Sequence, residues 1–315
     1  MKKSRKLKKL KKRIRTFLIQ IVSWPTTYLF ALVFKMPEVF IRALAEVIGS
    51  AFWVIGFYWR KMALDNLRFV YQDRLSEKEL KHIAKESMKN IIRVMSELIV
   101  IPKRPQTAFE KLTITGEEHL KKAMSNGSGV IGLGNHVGNF IYMVVGLTLR
   151  GYPVSYMFKE PEDKHMRLFL WDLKKTLRLN PIPLHPRKQA VKKSFICLKN
   201  KGLLWLALDQ DARKGDVGVE FFGVKASTPQ GPAVLAMKTG CTVLPIYVKR
   251  KGWMEHEVII WPPVDIVNTG DKERDKYANL KRMNESIEKM VLDNPEEWWW
   301  IHRRWKRAYR YETEA

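Results

Sequence analysis

The period of the hydrophobic positions changes near residue 112. Before it, apolar residues come in long runs or at helical spacing. Residues 17–34, FLIQIVSWPTTYLFALVF, carry no formal charge. As a helix this run is about 27 Å long, close to the hydrocarbon thickness of a bilayer. Pro25 would kink it, so a single anchor, a re-entrant hairpin and an interfacial segment all fit, with a buried soluble helix as the alternative. A second run, residues 43–59, contains Glu46 and follows Arg42, which makes it a poor spanning helix. Trp53, Tyr58 and Trp59, followed by Arg60 and Lys61, suit an amphipathic helix lying on a membrane. An ordinary core helix has the same pattern. Residues 62–104 read as helical, with a capping box at Ser76 and Glu79 opening a run to about Leu98. Pro102 and Pro105 end it.

From residue 112 short apolar runs alternate with helical stretches. Strands are predicted at 129–134, 153–158, 203–208, 242–248 and 256–261, and helices at 162–179, 187–200, 229–239 and 273–293. That alternation predicts an α/β fold with a mixed or mostly parallel sheet flanked by helices. The expected organisation is a basic tail over 1–16, an anchor and interfacial helix over 17–61, a helical segment over 62–111 and an α/β domain over 112–315.

Charge changes the picture of the partners. The chain has 315 residues and a formal net charge of +25. Residues 1–16 contribute ten Lys/Arg and no acid, and the rest still carries +15. Nucleic acid, anionic lipid or an acidic protein could answer such a surface. The basic tail leads straight into an apolar run, which favours a membrane and, by the positive-inside rule, a cytoplasmic N-terminus. A cleaved signal peptide is disfavoured, since no small-residue cleavage site follows. No zinc-finger spacing, basic-region heptad or aromatic platform is present, so no nucleic-acid partner is expected. Two cysteines, Cys197 and Cys241, make neither a disulfide framework nor a metal quartet, and no metal or cofactor is expected.

Four stretches carry candidate chemistry. Asn135-His136-Val137-Gly138-Asn139-Phe140 follows a predicted strand, where an imidazole can face a cleft and take a proton near neutral pH; a lone loop histidine is equally a structural residue. Asp209-Gln210-Asp211-Ala212-Arg213 follows another strand, and its two carboxylates could hold a cation, orient a base or satisfy loop backbone. Phe221-Phe222-Gly223 through Ala233 reads as a tight turn leading into a helix, with Thr228 as cap and Pro229 at its first position. Asn294 to Lys306 interleaves tryptophans with Arg303 and Arg304, suited to a lipid headgroup, to nucleic acid, or to core packing with a solvated basic end.

In this order and spacing, the stretches resemble the lipid A biosynthesis (lauroyl/myristoyl) acyltransferase family over nearly the whole chain. The anchor resembles 17–34. The Arg/Lys-x-x-x-x-Asn-Leu stretch resembles Arg60 to Leu67, and the His-x-Gly-Asn-aromatic loop His136 to Phe140. The Asp-Gln-Asp, Phe-Phe-Gly and Thr-Pro-x-Gly-Pro-Ala stretch resembles 209–233, and the tryptophan-rich ending resembles 295–306 almost letter for letter. The resemblance implies transfer of a fatty acyl chain from an acyl thioester, on acyl carrier protein, to a hydroxyl of an anionic membrane glycolipid such as a lipid A precursor. It implies an inner-membrane protein facing the cytoplasm, with His136 as general base. Substrate contacts are expected from Asn135, Asn139, Lys159, Arg167, Arg178, Arg303 and Arg304. One position departs. The family's acid, five residues after the histidine, is Ile141 here. Either another carboxylate, Asp209 or Asp211, takes its place in space, or the protein is a weak or inactive relative that binds lipid or assembles partners.

Overall fold

In the computed structural model, residues 32–104, 107–161, 164–212 and 216–306 are described. The basic tail and most of the 17–34 run lie outside them. Three helices come first: α1 (Glu38–Ile55), α2 (Phe57–Tyr71) and α3 (Glu77–Val100). Ser76 and Glu79 close the expected capping box on α3, with the Glu79 carboxylate accepting from Ser76 N at 2.7 Å. Glu46, the residue that spoils the second apolar run as a span, points at α3. Its carboxylate takes two hydrogen bonds from Arg93, at 2.6 and 3.0 Å, and one ion pair from Lys89 at 2.7 Å. The Arg93 bonds hold its pKa down to about 2. The buried side of α1 is small, formed by Ile41, Ala45 and Gly49. Its other side leaves Val39, Phe40, Val47 and Ile55 exposed, and α2 continues with exposed Phe57, Tyr58 and Trp59. The run is therefore neither a fully buried core helix nor a continuous rod. Gly56 breaks it, and Glu38–Ile55 and Phe57–Arg74 meet at 82°. No single helix among the described residues is long and apolar enough to cross a membrane; the bent pair taken together matches a span in length and composition only.

The body is a seven-stranded sheet in the order β1-β9-β8-β2-β5-β3-β4. Its strands are β1 (Leu112–Thr115), β2 (Val130–Gly134), β3 (Val154–Phe158), β4 (Asn180–Pro183), β5 (Leu203–Ala207), β8 (Thr242–Gly252) and β9 (Glu255–Ile260). All pairings are parallel except the β8–β9 hairpin. Helices α4 (Glu117–Ser125), α5 (Phe140–Leu149), α6 (Lys164–Thr176), α7 (Arg187–Lys199) and α8 (Gly231–Thr239) connect the strands, and α9 (Lys272–Asp293) follows β9. β2 is buried at every position, as a central parallel strand should be. The α/β expectation holds.

Three elements depart from it. β1 and β4 are short edge strands, and β4 contains Pro181 and Pro183, which an edge tolerates because one side of the ladder is unpaired. Residues 216–229 form a hairpin, β6 (Asp216–Phe221) and β7 (Val224–Pro229), turning at Phe222 and Gly223 with φ of 51° and 79°. The tight turn was expected; the strand after it was not. Thr228 and Pro229 belong to β7, and Thr228 does not cap a helix: its hydroxyl donates to Ala226 O at 3.0 Å. The helix starts later, at Gly231 with Pro232 in its first turn and Gln230 as N-cap.

A buried polar cluster ties the helical layer to the sheet. Glu97 of α3 is fully buried and accepts from Asn139 Nδ2 at 2.7 Å, Met254 N at 3.0 Å and Arg250, and pairs with His256 Nε2 at 3.1 Å. Burial alone would raise its pKa, but the charge and hydrogen bonds of His256 and Arg250 outweigh burial and hold it at about 2. Removing one partner of such a group leaves the others uncompensated. Glu97→Ala is expected to cost about 3–5 kcal/mol in equilibrium denaturation of the detergent-solubilised protein. The Glu97 contribution is present above the usual carboxylate value of 4.5 and is lost as pH falls toward 2. In that window the melting temperature of wild type is expected to fall more steeply than that of Glu97→Gln.

Candidate active site

β2 and β5 are parallel neighbours, so the loops at their C-terminal ends emerge together. One is 135–139 and the other begins at Leu208. Local sequence shapes the first. Gly134 lets the Trp205 indole lie on the backbone, since a Cβ there would sit 2.3 Å from Trp205 Nε1. Trp205 stacks on Phe140 (5.6 Å between centroids, 6° between planes), and Phe140 meets the His136 ring edge-on at 4.8 Å. Gly138 turns with φ +60°, where a Cβ would approach Val248 O to 2.3 Å. Asn139 then caps α5, accepting from Tyr142 N at 2.9 Å.

The second loop supplies the carboxylate. Asp209 Oδ1 lies 2.8 Å from His136 Nδ1. Its Oδ2 accepts from His136 N at 2.9 Å and from Trp298 Nε1 at 2.8 Å. Asp209 is only 2% exposed. Burial opposes its charge, but the His136 charge and these hydrogen bonds prevail, and its pKa falls to about 2. An ionised carboxylate only accepts, so Nδ1 carries a proton and Nε2 is the ring nitrogen left to exchange one. Trp299 covers the ring at 5.3 Å.

His136 opens into a cleft of about 1080 Å³. Its walls are mainly apolar and include Ile141, Val144, Leu168 and Trp205, while Lys159, Arg167, Lys174 and Lys193 add positive charge. No serine, threonine or cysteine is among the described lining residues. Ile141 is thus part of an apolar wall.

The expected site residues separate on this frame. His136 and Asp209 come together. Asp211 meets a second histidine through its backbone: its N–H donates to His302 Nε2 at 3.0 Å, and burial lowers the pKa of that histidine. Lys159 and Arg167 line the cleft, and Arg178, exposed with φ of 52° after α6, is not among the lining residues. Asn135 is buried, its Oδ1 accepting from Val137 N at 3.2 Å. Three of the residues expected to contact substrate are buried among the protein's own groups. Asn135 turns inward as a loop brace. Asn139 is fully buried, with its carbonyl on the α5 cap and its amide on Glu97. Arg304 is also fully buried, donating to Ser227 O and to Thr228 Oγ1 at 3.0 Å while lying 4.6 Å from the Phe221 ring centroid. Arg303 lies over Tyr58 at 5.3 Å, beside the exposed α1–α2 elbow. Arg213 lies outside the described residues. Trp298 and Trp300 are core residues, so that part of the C-terminal motif packs inside rather than facing a bilayer.

Sequence reasoning overlooked Trp298 as the donor to Asp209, Gln210 as a neighbour of the ring, and Glu97 as the anchor of Asn139. Gln210 and Trp298 stood inside quoted motifs, but only the fold brings them to the histidine. Glu97 carried no motif at all.

Comparison with known proteins gives the family of the chain. The family described as bacterial lipid A biosynthesis acyltransferase matches residues 7–307. The chain is 26% identical over 252 residues to the lipid A biosynthesis palmitoleoyltransferase of Escherichia coli, covering 78% of each chain. It is 25% identical over 295 residues to the lipid A biosynthesis lauroyltransferase of the same organism, covering 90% of this chain and 91% of the relative. It is 26% identical over 198 residues to a phosphatidylinositol mannoside acyltransferase of Mycobacterium tuberculosis, covering 61% of this chain and 59% of the relative. A family match running from residue 7 to residue 307, almost the whole length, shows that the chain belongs to the bacterial lipid A biosynthesis acyltransferases.

Proposed function

We propose that the protein transfers a fatty acyl chain from an acyl thioester, carried on acyl carrier protein, to a hydroxyl of an anionic membrane glycolipid such as a lipid A precursor. The observation that carries this reading is the His136–Asp209 pair at the wall of a largely apolar cleft. His136 Nε2 takes the proton of the acceptor hydroxyl, and the oxygen attacks the thioester carbonyl directly. With no serine, threonine or cysteine among the described lining residues, and the Tyr156 phenol pushed up to about 12 by burial, the acceptor hydroxyl itself is the nucleophile in this reading. Asp209 holds the tautomer and stabilises the imidazolium. It serves where the family's acid is replaced by Ile141, which supports an active enzyme over an inactive relative. The cleft's apolar side takes the acyl chain, and Lys159 and Arg167 hold acceptor phosphate. The relatives' names support a glycolipid acceptor.

The protein works at the cytoplasmic face of the bacterial inner membrane. Residues 17–34 anchor it, and the exposed apolar face of the α1–α2 elbow rests in the interface. Arg60, packed over the Phe57 ring at 5.0 Å, and Arg303 over Tyr58 are placed for lipid phosphates.

Acyl transfer in vitro, from labelled acyl carrier protein to candidate glycolipids, tests this. His136→Ala is expected to lose at least about 10²-fold in turnover. Asp209→Asn is expected to lose up to about 10⁴-fold, because an amide can hold the wrong tautomer. Asp211→Asn is expected to stay near wild type. Undiminished turnover in His136→Ala removes the general-base role. Separately, replacing Phe57 and Trp59 with serine is expected to move the protein from the membrane pellet toward the soluble fraction in a chain lacking residues 1–34; unchanged sedimentation argues against the elbow as a membrane contact.

A further inference from the structure

Gln210 stands beside His136 in a position that a simple base pair does not require. Its amide nitrogen is 3.1 Å from His136 Nε2 and 3.4 Å from Nδ1. A donor lying on the in-plane lone pair of Nε2 would be much farther from Nδ1 than from Nε2. A donor in the plane between the two nitrogens would overlap Cε1. Near-equal distances therefore place the amide over the face of the ring. An N–H aimed at the electron-rich face of a neutral imidazole is a favourable, weak contact. Two consequences follow. The lone pair of Nε2 stays open toward an incoming hydroxyl. A hydrogen-bond donor also waits about 3 Å above the atom that will take the proton, on a residue that lines the cleft.

We infer that Gln210 is a catalytic residue of the transfer, its side-chain amide donating to the thioester oxygen as that oxygen becomes negative. This rests on the reading of His136 as general base. In the step, the acceptor O–H bond breaks and its proton goes to Nε2. A bond forms from the acceptor oxygen to the carbonyl carbon, and the carbonyl π pair moves onto its oxygen, where the Gln210 N–H meets it. When that pair returns, the C–S bond breaks and the sulfur leaves with the proton from Nε2, giving an ester and a free thiol. The attacking oxygen lies near the ring plane, so the carbonyl oxygen, two bonds away, can fall on the face where the amide sits. An N–H donor already held in a largely apolar cleft needs little reorganisation when that charge appears.

The backbone around Gln210 is pinned on both sides. Asp209 is held by three donors, and Asp211 N donates to His302 Nε2. Only the side chain is left to turn toward substrate, so its replacement should leave the His136–Asp209 pair in place.

The test is steady-state acyl transfer by the full-length protein, with an acyl carrier protein thioester and a glycolipid acceptor, for Gln210→Ala and Gln210→Met, with His136→Ala alongside. Both Gln210 variants are expected to lose about 10²–10³-fold in kcat, with KM for either substrate little changed, the melting temperature kept and the acid limb of the pH profile unmoved. Methionine fills the same space without a donor, so it answers the question if the alanine variant folds poorly. Wild-type kcat in a folded variant overturns the inference, as does a loss confined to KM. If His136→Ala is inactive while both Gln210 variants are fully active, this inference alone fails. If His136→Ala is itself active, the general-base reading fails with it.

Discussion

A buried carboxylate must find as many donors as water would have given it, and Asp209 meets that demand with His136 on two atoms and Trp298 on a third. Much of the site's order depends on this. Binding both the ring nitrogen and the backbone N–H of one residue fixes where the imidazole lies and how it is rotated. Keeping the charge on Asp209 fixes which nitrogen carries hydrogen. The Trp298 bond makes the C-terminal segment part of the site. That segment is in turn clamped by Asn66 Nδ2 on Trp300 O and His302 O, at 2.7 and 2.9 Å, and by Arg304 on β7. The Asn-Leu stretch of α2 and the tryptophan-rich ending, far apart in sequence, are two halves of one clamp.

Loop 135–139 is gripped at its other end by the second buried acid. Glu97 takes the Asn139 amide, and Asn139 starts α5. Glu297 adds a third hold, its carbonyl accepting from Gly138 N at 3.3 Å and from Asn90 Nδ2 at 3.0 Å, while Asn90 Oδ1 accepts from Arg250. A short loop held by two anions and a carbonyl has little freedom left to lose when substrate arrives, and that preorganisation is what proton transfer and charge stabilisation both require.

The central strands and most helices were legible because their periodicities are long and clean. β4 and the β6–β7 hairpin were not, since prolines, small residues and Ser-Thr-Pro mimic loop and cap signals that only neighbouring strands override. The site was half legible. A histidine after a strand and carboxylates after its neighbour can be expected to meet, because parallel strands bring their ends together. Which of Asp209 and Asp211 would reach could not be read, because it depends on how the loop after Leu208 turns. Arg304 and Asn139 misled for a common reason: polar side chains in a motif look like ligand contacts, and a sequence does not reveal that a folded chain has buried them against its own backbone.

On the proposed reading, Ile141 stands where the resembled family has an acid and Asp209 supplies the carboxylate instead. An acid at this position would put a charged group in the wall that an acyl chain has to lie against. Taking the carboxylate from the loop after β5 keeps it 2.8 Å from Nδ1, in a buried position where His136 N and Trp298 Nε1 supply its remaining solvation. On the proposed mechanism the imidazolium still has its counter-ion during transfer, and the cleft keeps an aliphatic surface. Desolvating the space in front of Nε2 also works against water as a competing acceptor, since a fatty chain filling an apolar cleft leaves few places for water to be held by hydrogen bonds. On this view the carboxylate that serves His136 is buried in the interior, while four cations and the single acid Glu160 among the described lining residues leave the cleft net positive for an anionic acceptor.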